Sequence, residues 1–185
     1  MSTALLGALG VALVVVVLLR VRSASATGGA SDPALPEVKM REMALGGTRV
    51  GFGLPVTSPE RPAWGVLMET GYPEGTATLL SLSDGTTSLY FSSGGGIIGG
   101  GTHENVRSAT LVFVEKAGAS VKAMNVTKEF PRPATGLTTF YVLTEDGVFT
   151  GTAPEAALGS GGHSMSPLFY SGQSVLTQLR QASGK

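Results

Sequence analysis

The sequence predicts an α+β protein in which a single N-terminal transmembrane helix precedes a domain built on an antiparallel sheet. Residues 2–19 are almost wholly apolar and uncharged, five later segments have strand patterns, and two have the apolar spacing of helices. In chain order these segments give a five-stranded antiparallel sheet with two helices, β-β-β-α-β-β-α. We divide the chain into a transmembrane helix at 1–22, an extended Gly/Pro-rich segment at 23–62 and an α+β soluble domain at 63–185.

The composition excludes several kinds of function. The formal net charge is zero, whereas a nucleic-acid-binding protein usually has a basic surface. The chain has no cysteine, which rules out disulfides, thiolate catalysis and cysteine-ligated metal sites. We therefore expect no nucleic-acid partner.

The apolar N-terminal segment has the length of a membrane span. Eighteen helical residues rise about 27 Å, close to the roughly 30 Å hydrocarbon thickness of a bilayer. The alternatives are a buried core helix and a secretory signal cleaved near Ser23–Ala26, which would release a secreted domain. Arg20 and Arg22 follow the apolar run, whereas a signal peptide has its positive charge before it, so we favour a retained anchor. These two arginines predict an outside N-terminus and a cytoplasmic C-terminal domain. The predicted anchor residues are Leu5, Leu6, Val11, Leu13, Val14, Val15, Val16, Val17, Leu18 and Leu19.

The segment 23–62 is rich in residues that resist regular structure. We interpret it as an extended strap along a membrane surface or a partner, with a disordered linker as the alternative and a short strand at Thr48–Phe52. Its prolines are Pro33, Pro36, Pro55, Pro59 and Pro62.

The next three predicted strands form a meander. They cover Trp64–Thr70, Thr76–Ser83 and Thr86–Ser93. Asp84-Gly85 predicts a tight hairpin between the second and the third, because a type I′ turn needs positive φ at both central residues.

A helix, a second hairpin and a final helix complete the predicted domain. Thr102 is the predicted N-cap of the first helix. The apolar spacing of this helix continues past Gly118, but glycine destabilises a helix interior, so we expect the helix to end there. Strands follow at Thr138–Thr144 and Val148–Ala153, with a hairpin turn predicted at Asp146-Gly147. Ser166 and Pro167 form the predicted N-cap and N1 pair that opens the last helix.

The order of elements over residues 63–182, with SLSDGTTSLYFSSGGG leading into a long helix, resembles the profilin-like group that includes the roadblock and longin domains. None of the motifs diagnostic of those families is present. The resemblance implies a non-catalytic platform that pairs or scaffolds proteins.

A glycine-rich stretch has the spacing of a dinucleotide-binding loop, Gly94-x-Gly96-x-x-Gly99. Its context argues against a cofactor, because the preceding strand belongs to a hairpin and no acidic residue ends a following strand. We expect a crossover with an exposed apolar tip at Ile97 and Ile98, which would contact a partner.

Catalytic and metal-binding motifs are incomplete. GHSMS around Ser164 resembles the nucleophile elbow of lipases, but no acid or histidine follows it to complete a triad. His103 and Glu104 are adjacent, so on a helix their side chains diverge. We expect no catalytic residue, no metal and no cofactor.

These observations favour a non-enzymatic, membrane-anchored accessory subunit that braces a larger membrane protein complex, of respiratory or photosynthetic type. Its predicted partners are the lipid bilayer and the other subunits of that complex. The alternatives are a membrane-tethered regulatory module that recruits a soluble partner, and a secreted domain released by signal cleavage.

Overall fold

The computed structural model describes residues 35–58 and 60–184. The predicted transmembrane helix, with its anchor residues and the topology residues Arg20 and Arg22, lies outside this range. Within the described range, no helix combines the length and the apolar character needed to cross a membrane.

The sheet formed by the described residues has seven strands, so the prediction of five is wrong. Its order is β4-β3-β2-β1-β6-β7-β5, and all neighbouring strands are antiparallel. The two additional strands, β4 and β5, lie at the two edges and are too short to show a period-two pattern in the sequence. The strands are β1 (Ala63–Tyr72), β2 (Gly75–Leu82), β3 (Thr87–Phe91), β4 (Gly96–Ile97), β5 (Asn125–Thr127), β6 (Leu137–Thr144) and β7 (Gly147–Pro154).

The described residues form four α-helices instead of the two predicted. The two predicted helices correspond to α2 and α4, and α2 continues two residues past Gly118. The two unpredicted helices are α1, before the sheet, and the short α3, after β7. The helices are α1 (Leu35–Gly46), α2 (Glu104–Ser120), α3 (Glu155–Gly159) and α4 (Ser166–Ala182).

The prediction of an extended strap at 23–62 is wrong where the structure describes that segment. Residues 35–46 form α1, and the predicted strand at Thr48–Phe52 is a series of turns. The amide of Phe52 donates to the carbonyl of Thr48 at 3.1 Å, and the amide of Gly53 donates to the carbonyl of Val50 at 2.9 Å. The segment is therefore folded locally from Leu35 onward.

Helices α2 and α4 cover one face of the sheet, called face A here. Val66 and Met68 of β1 pack there against Phe113 of α2 and Val175 of α4, all of them buried. This is the layer that the apolar spacing of the two long helices predicts. Other buried members of this core are Ala63, Ala77, Leu79, Leu89, Phe91, Val106, Val114, Ala117, Met124, Phe140, Val142, Ala153, Leu158, Met165, Leu168, Phe169 and Leu179.

Helix α1 and the turns after it cover the opposite face, called face B here. Ala44 and Leu45 of α1 and Leu54 of the turns join the core on this side. Both faces of the central strands are therefore buried, which places the sheet in the middle of three layers. The strand residues in this second core are Trp64, Leu67, Leu80, Leu82, Tyr90, Tyr141 and Leu143.

Candidate functional site

A row of polar side chains crosses face B, in the layer beneath α1. Glu69 of β1 is paired with Thr78 of β2 and with Thr139 of β6. The row continues to Tyr90 of β3 on one side and to Thr152 of β7 on the other. Since directly paired residues share a face, five neighbouring strands present polar groups at the same level of the sheet.

Glu69 lies at the centre of this row and is completely buried. Arg41 of α1 reaches it with two hydrogen bonds, Nε to Oε1 at 2.7 Å and Nη2 to Oε2 at 2.9 Å. The hydroxyl of Thr78 donates to Oε1 at 3.1 Å. A buried carboxylate requires such compensation, because its desolvation is costly unless it is paired and hydrogen-bonded.

A second ion pair lies one helical turn earlier on α1. The buried Glu37 accepts two hydrogen bonds from Nη2 of Arg132, at 3.0 Å and 2.8 Å. Glu37 and Arg41 are four residues apart, so both extend from the same side of α1. We call the four residues Glu37, Arg41, Glu69 and Arg132 the α1 clasp.

The clasp also holds the loop between β5 and β6, which carries Arg132. Nη2 of Arg41 donates to the carbonyl of Phe130 at 2.8 Å, and the hydroxyl of Tyr141 donates to the carbonyl of Pro131 at 2.6 Å. This loop crosses closely over the end of β1 at Gly71, where a side chain would collide with the backbone that follows Arg132. The clasp thus joins α1, the sheet and this loop at one point.

The electrostatics of the clasp favour its ionised form. Burial lowers the pKa of Arg41, but the hydrogen bond and the charge of Glu69 outweigh that effect and raise its pKa overall. The Arg41 guanidinium carbon also lies 5.8 Å from the ring centroid of Tyr141, within the range of a cation–π contact. Burial and then the charge of Glu69 raise the pKa of Tyr141, so the arginine stays charged beside a neutral phenol.

The hydroxyl of Tyr90 is the one unsatisfied group in the polar row. It is buried and has no hydrogen-bond partner among the described residues. Burial raises its pKa, and the carboxylates of Glu69 and Glu37 raise it further. Tyr90 therefore stays neutral and borders the clasp without bonding to it.

These contacts decide what the clasp can do chemically. Both carboxylates are buried and bonded to arginines, so neither is exposed as a base or a nucleophile. The arrangement instead fixes α1 to the sheet and to the loop that carries Arg132. We therefore interpret the clasp as a rigid joint.

The structure separates the two isoleucines that we predicted as a contact tip. Ile97 belongs to β4, pairs with Leu89 and is half-buried against the face A core, whereas the side chain of Ile98 is 69% exposed. Only Ile98 of the two has the exposure that a partner contact requires.

The glycines around these isoleucines have local structural roles. Gly94, Gly95 and Gly96 have positive φ and turn the chain from β3 back into the antiparallel β4. Further along, a side chain at Gly100 would collide with Leu179 of α4, and one at Gly101 with the backbone of Gly85. Turn geometry and close packing account for this stretch without a bound phosphate.

The two histidines lie at the starts of helices. Nδ1 of His163 accepts the amide of Met165 at 3.1 Å, and the amide of His163 donates to Oγ of Ser166 at 3.2 Å, so this side chain shapes the turn before α4. His103 directly precedes α2 and is exposed. Among residues 35–58 and 60–184, no three histidine, aspartate or glutamate side chains are grouped as metal ligands.

Sequence reasoning missed the clasp, although one signal pointed to it. Glu69 is the only charged residue in the apolar strand AWGVLMETGY, and a charge in a strand that is buried on both faces needs a buried partner. The identity of the partners had no such signal. Arg41 and Arg132 lie in segments that we interpreted as a strap and a connection.

No protein-family model matches the sequence, and no characterised protein or solved structure is significantly similar to the chain. The interpretation of the clasp therefore depends on its geometry.

Proposed function

We propose that this protein is a non-enzymatic accessory subunit that is held at a membrane by its apolar N-terminal segment and braces a larger membrane protein complex. The folded domain lies on the cytoplasmic side in this proposal, because Arg20 and Arg22 follow the apolar run. Its partners are the bilayer and the other subunits of the complex.

The α1 clasp is the observation that carries the proposal. Twelve residues separate Arg22 from Leu35, and a chain of that length spans at most about 43 Å. The clasp makes the first described helix part of the folded domain, so only these twelve residues separate the proposed anchor from the domain. A brace needs this property, because a domain on a long free linker could not hold a neighbouring subunit in place.

The buried acidic groups also support a structural role. The described residues contain three buried carboxylates, and each one contacts a side chain of another element. Glu37 and Glu69 bind arginines, and Glu155 accepts a hydrogen bond from the hydroxyl of Tyr72 at 3.3 Å. These groups connect elements of the fold to one another.

A second candidate is a membrane-tethered regulatory module, which the resemblance to profilin-like domains suggests. Helix α2 supports it, because Leu111 and Val112 are both exposed there. Such a module would bind its partner transiently, whereas a brace would be present in constant stoichiometry.

The experiment is purification of the tagged full chain from its native membrane in a mild detergent, followed by identification of the co-purifying proteins. We expect one large complex in which this chain has a fixed stoichiometry. A chain without residues 2–22 serves as the control and should appear in the soluble fraction. Recovery of the full chain as a free monomer, under conditions that keep other membrane complexes intact, would contradict the proposal, and substoichiometric partners would favour the regulatory module.

A further inference from the structure

We propose that the outer side of α1 and of the turns after it rests on the lipid bilayer. This contact surface consists of Met43, Val50 and Val56, and we call it the strap surface. The inference rests on the proposed membrane anchoring and adds which side of the domain faces the lipid.

The three residues are unusually exposed for apolar side chains. The exposed fraction is 60% for Met43, 72% for Val50 and 83% for Val56. They lie within the same short stretch of chain, the first part of the described sequence after the N-terminal apolar segment. Exposed apolar groups of this kind mark contact with a protein or a membrane when they occur together.

The fold places the strap surface on a single side of the molecule. The inward residues of the same stretch, Ala44 and Leu54, pack on face B. Phe52 packs on Trp64 with ring centroids 5.8 Å apart, which holds the turns against that face. Since α1 and the turns form one layer on face B, their exposed side chains point away from the sheet on that side.

Chain continuity selects the bilayer as the occupant. With the proposed span ending at residue 22, α1 begins no more than about 43 Å from the membrane surface, because only twelve residues lie between them. The exposed charges of this stretch balance, with Lys39 and Arg61 against Glu42 and Glu60. We therefore expect a contact through apolar groups that does not depend on anionic lipid.

The absence of cysteine from the chain allows a direct test by single-cysteine labelling. Met43→Cys, Val50→Cys and Val56→Cys report on the strap surface. Val112→Cys and Val126→Cys are matched controls, with exposed fractions of 51% and 64% at the native residues. Both controls lie on the face A side: Val112 is on α2, and Val126 is paired with Phe149, which packs against the face A core.

Each full-length variant is labelled with an environment-sensitive fluorophore and reconstituted into phosphatidylcholine vesicles with or without phosphatidylglycerol. Some vesicles contain lipids that carry a nitroxide quencher near the headgroup. We expect a blue shift and loss of emission at positions 43, 50 and 56, equal in both lipid mixtures, and neither effect at 112 and 126.

Each other outcome contradicts the proposal in a distinguishable way. If the chain binds the vesicles but positions 43, 50 and 56 are not quenched, the strap surface is wrong while the anchoring stands. Equal quenching by lipid at all five positions also contradicts the proposed lipid contact. Protection of positions 43, 50 and 56 from an aqueous quencher, without quenching by lipid, contradicts it as well and would indicate a protein partner or a second copy. If the chain does not sediment with the vesicles, the anchoring and the inference both fail.

Discussion

At the scale of single residues, the polar row on face B combines well-satisfied groups with one that is not. Glu69 has three hydrogen bonds from side chains of two elements. Tyr90, two strands away, has a buried hydroxyl without a partner. The difference matters because an unsatisfied buried polar group destabilises the folded state, whereas a hydrogen-bonded one contributes about 0.5–1.5 kcal/mol to stability.

Replacement of Tyr90 by phenylalanine should therefore not destabilise the protein. The ring is kept and an unsatisfied hydroxyl is removed, so we expect a gain of about 1–2 kcal/mol in the free energy of unfolding. Urea unfolding of the chain from residue 23 onward measures it. Tyr141→Phe is the matched control and should destabilise, because the hydroxyl of Tyr141 donates to Pro131. A loss of stability in Tyr90→Phe as large as in the control would contradict this assignment.

Glu155 predicts a pH-dependent effect. Burial raises its pKa, and the hydrogen bond from Tyr72 offsets only part of that rise. The folded state therefore holds the proton more tightly than the unfolded state, so the stabilisation is complete below the unfolded pKa of about 4.3 and is lost as the pH rises through the folded pKa. Glu155→Gln has no such loss.

The measurement is the melting temperature of Glu155→Gln and of the wild type at about pH 4 and about pH 7. We expect the variant to gain relative to the wild type at the higher pH. A difference that is the same at both values would show that the carboxyl group has no raised pKa in the folded state.

At the scale of elements, α1 is attached to the sheet in an unusual way. Its inward side contributes the buried Ala44 and Leu45 and the partly buried Met40 to the core, together with the charged Glu37 and Arg41. Apolar burial by this helix is therefore limited, and the clasp determines how the helix is positioned.

A double-mutant cycle on the clasp tests this view. Arg41→Met leaves Glu69 buried without its cation, and we expect a cost of about 3–5 kcal/mol in the free energy of unfolding. The double variant Arg41→Met with Glu69→Leu removes both charges and should recover most of that loss. Lys39→Met, on the exposed side of the same helix, is the control and should change stability by less than about 0.5 kcal/mol.

Urea unfolding of the wild type, Arg41→Met, Glu69→Leu and the double variant gives the coupling energy. If the double variant is as unstable as Arg41→Met alone, the uncompensated charge of Glu69 does not explain the instability. The specific geometry of the ion pair would then hold the helix in place.

At the scale of the whole molecule, one sheet separates two cores. Removal of the face B layer would leave Leu67, Leu80 and Tyr141 exposed on one side of the central strands, with Glu69 unpaired among them. An apolar surface of that kind promotes association. The domain that folds as a unit therefore begins at α1 and not at the first strand.

Two truncations test this boundary. A chain that begins at Leu35 contains every element described here, and we expect it to unfold cooperatively and to elute as a single species. A chain that begins at Gly47 lacks α1, and we expect association and loss of a cooperative urea transition. Size-exclusion chromatography and urea unfolding measure both. Equal behaviour of the two chains would contradict the assignment of α1 to the fold.

Much of the sheet could be predicted because its signals are local. The hairpin turns at Asp84-Gly85 and Asp146-Gly147 and the apolar runs around them depend on residues within a few positions of one another, and the five predicted strands coincide with β1, β2, β3, β6 and β7 to within two residues. The starts of α2 and α4 were predictable to within one residue for the same reason: the N-caps are His103 and Met165, where Thr102 and Ser166 were predicted. The edge strands were not, because strands of two and three residues leave no periodicity to detect.

The sequence by itself determined the apolar N-terminal segment, the α+β class and the positions of the long strands and helices, since these follow from local composition and spacing. Only the tertiary structure decided that α1 exists, that it covers face B and that the clasp holds it. Helix α1 has no wide apolar stripe to reveal it, because charged residues form much of its inward side. Arg41 pairs with Glu69, 28 residues away, and Glu37 pairs with Arg132, 95 residues away. Pairings over such sequence separations are set by the folding of the sheet.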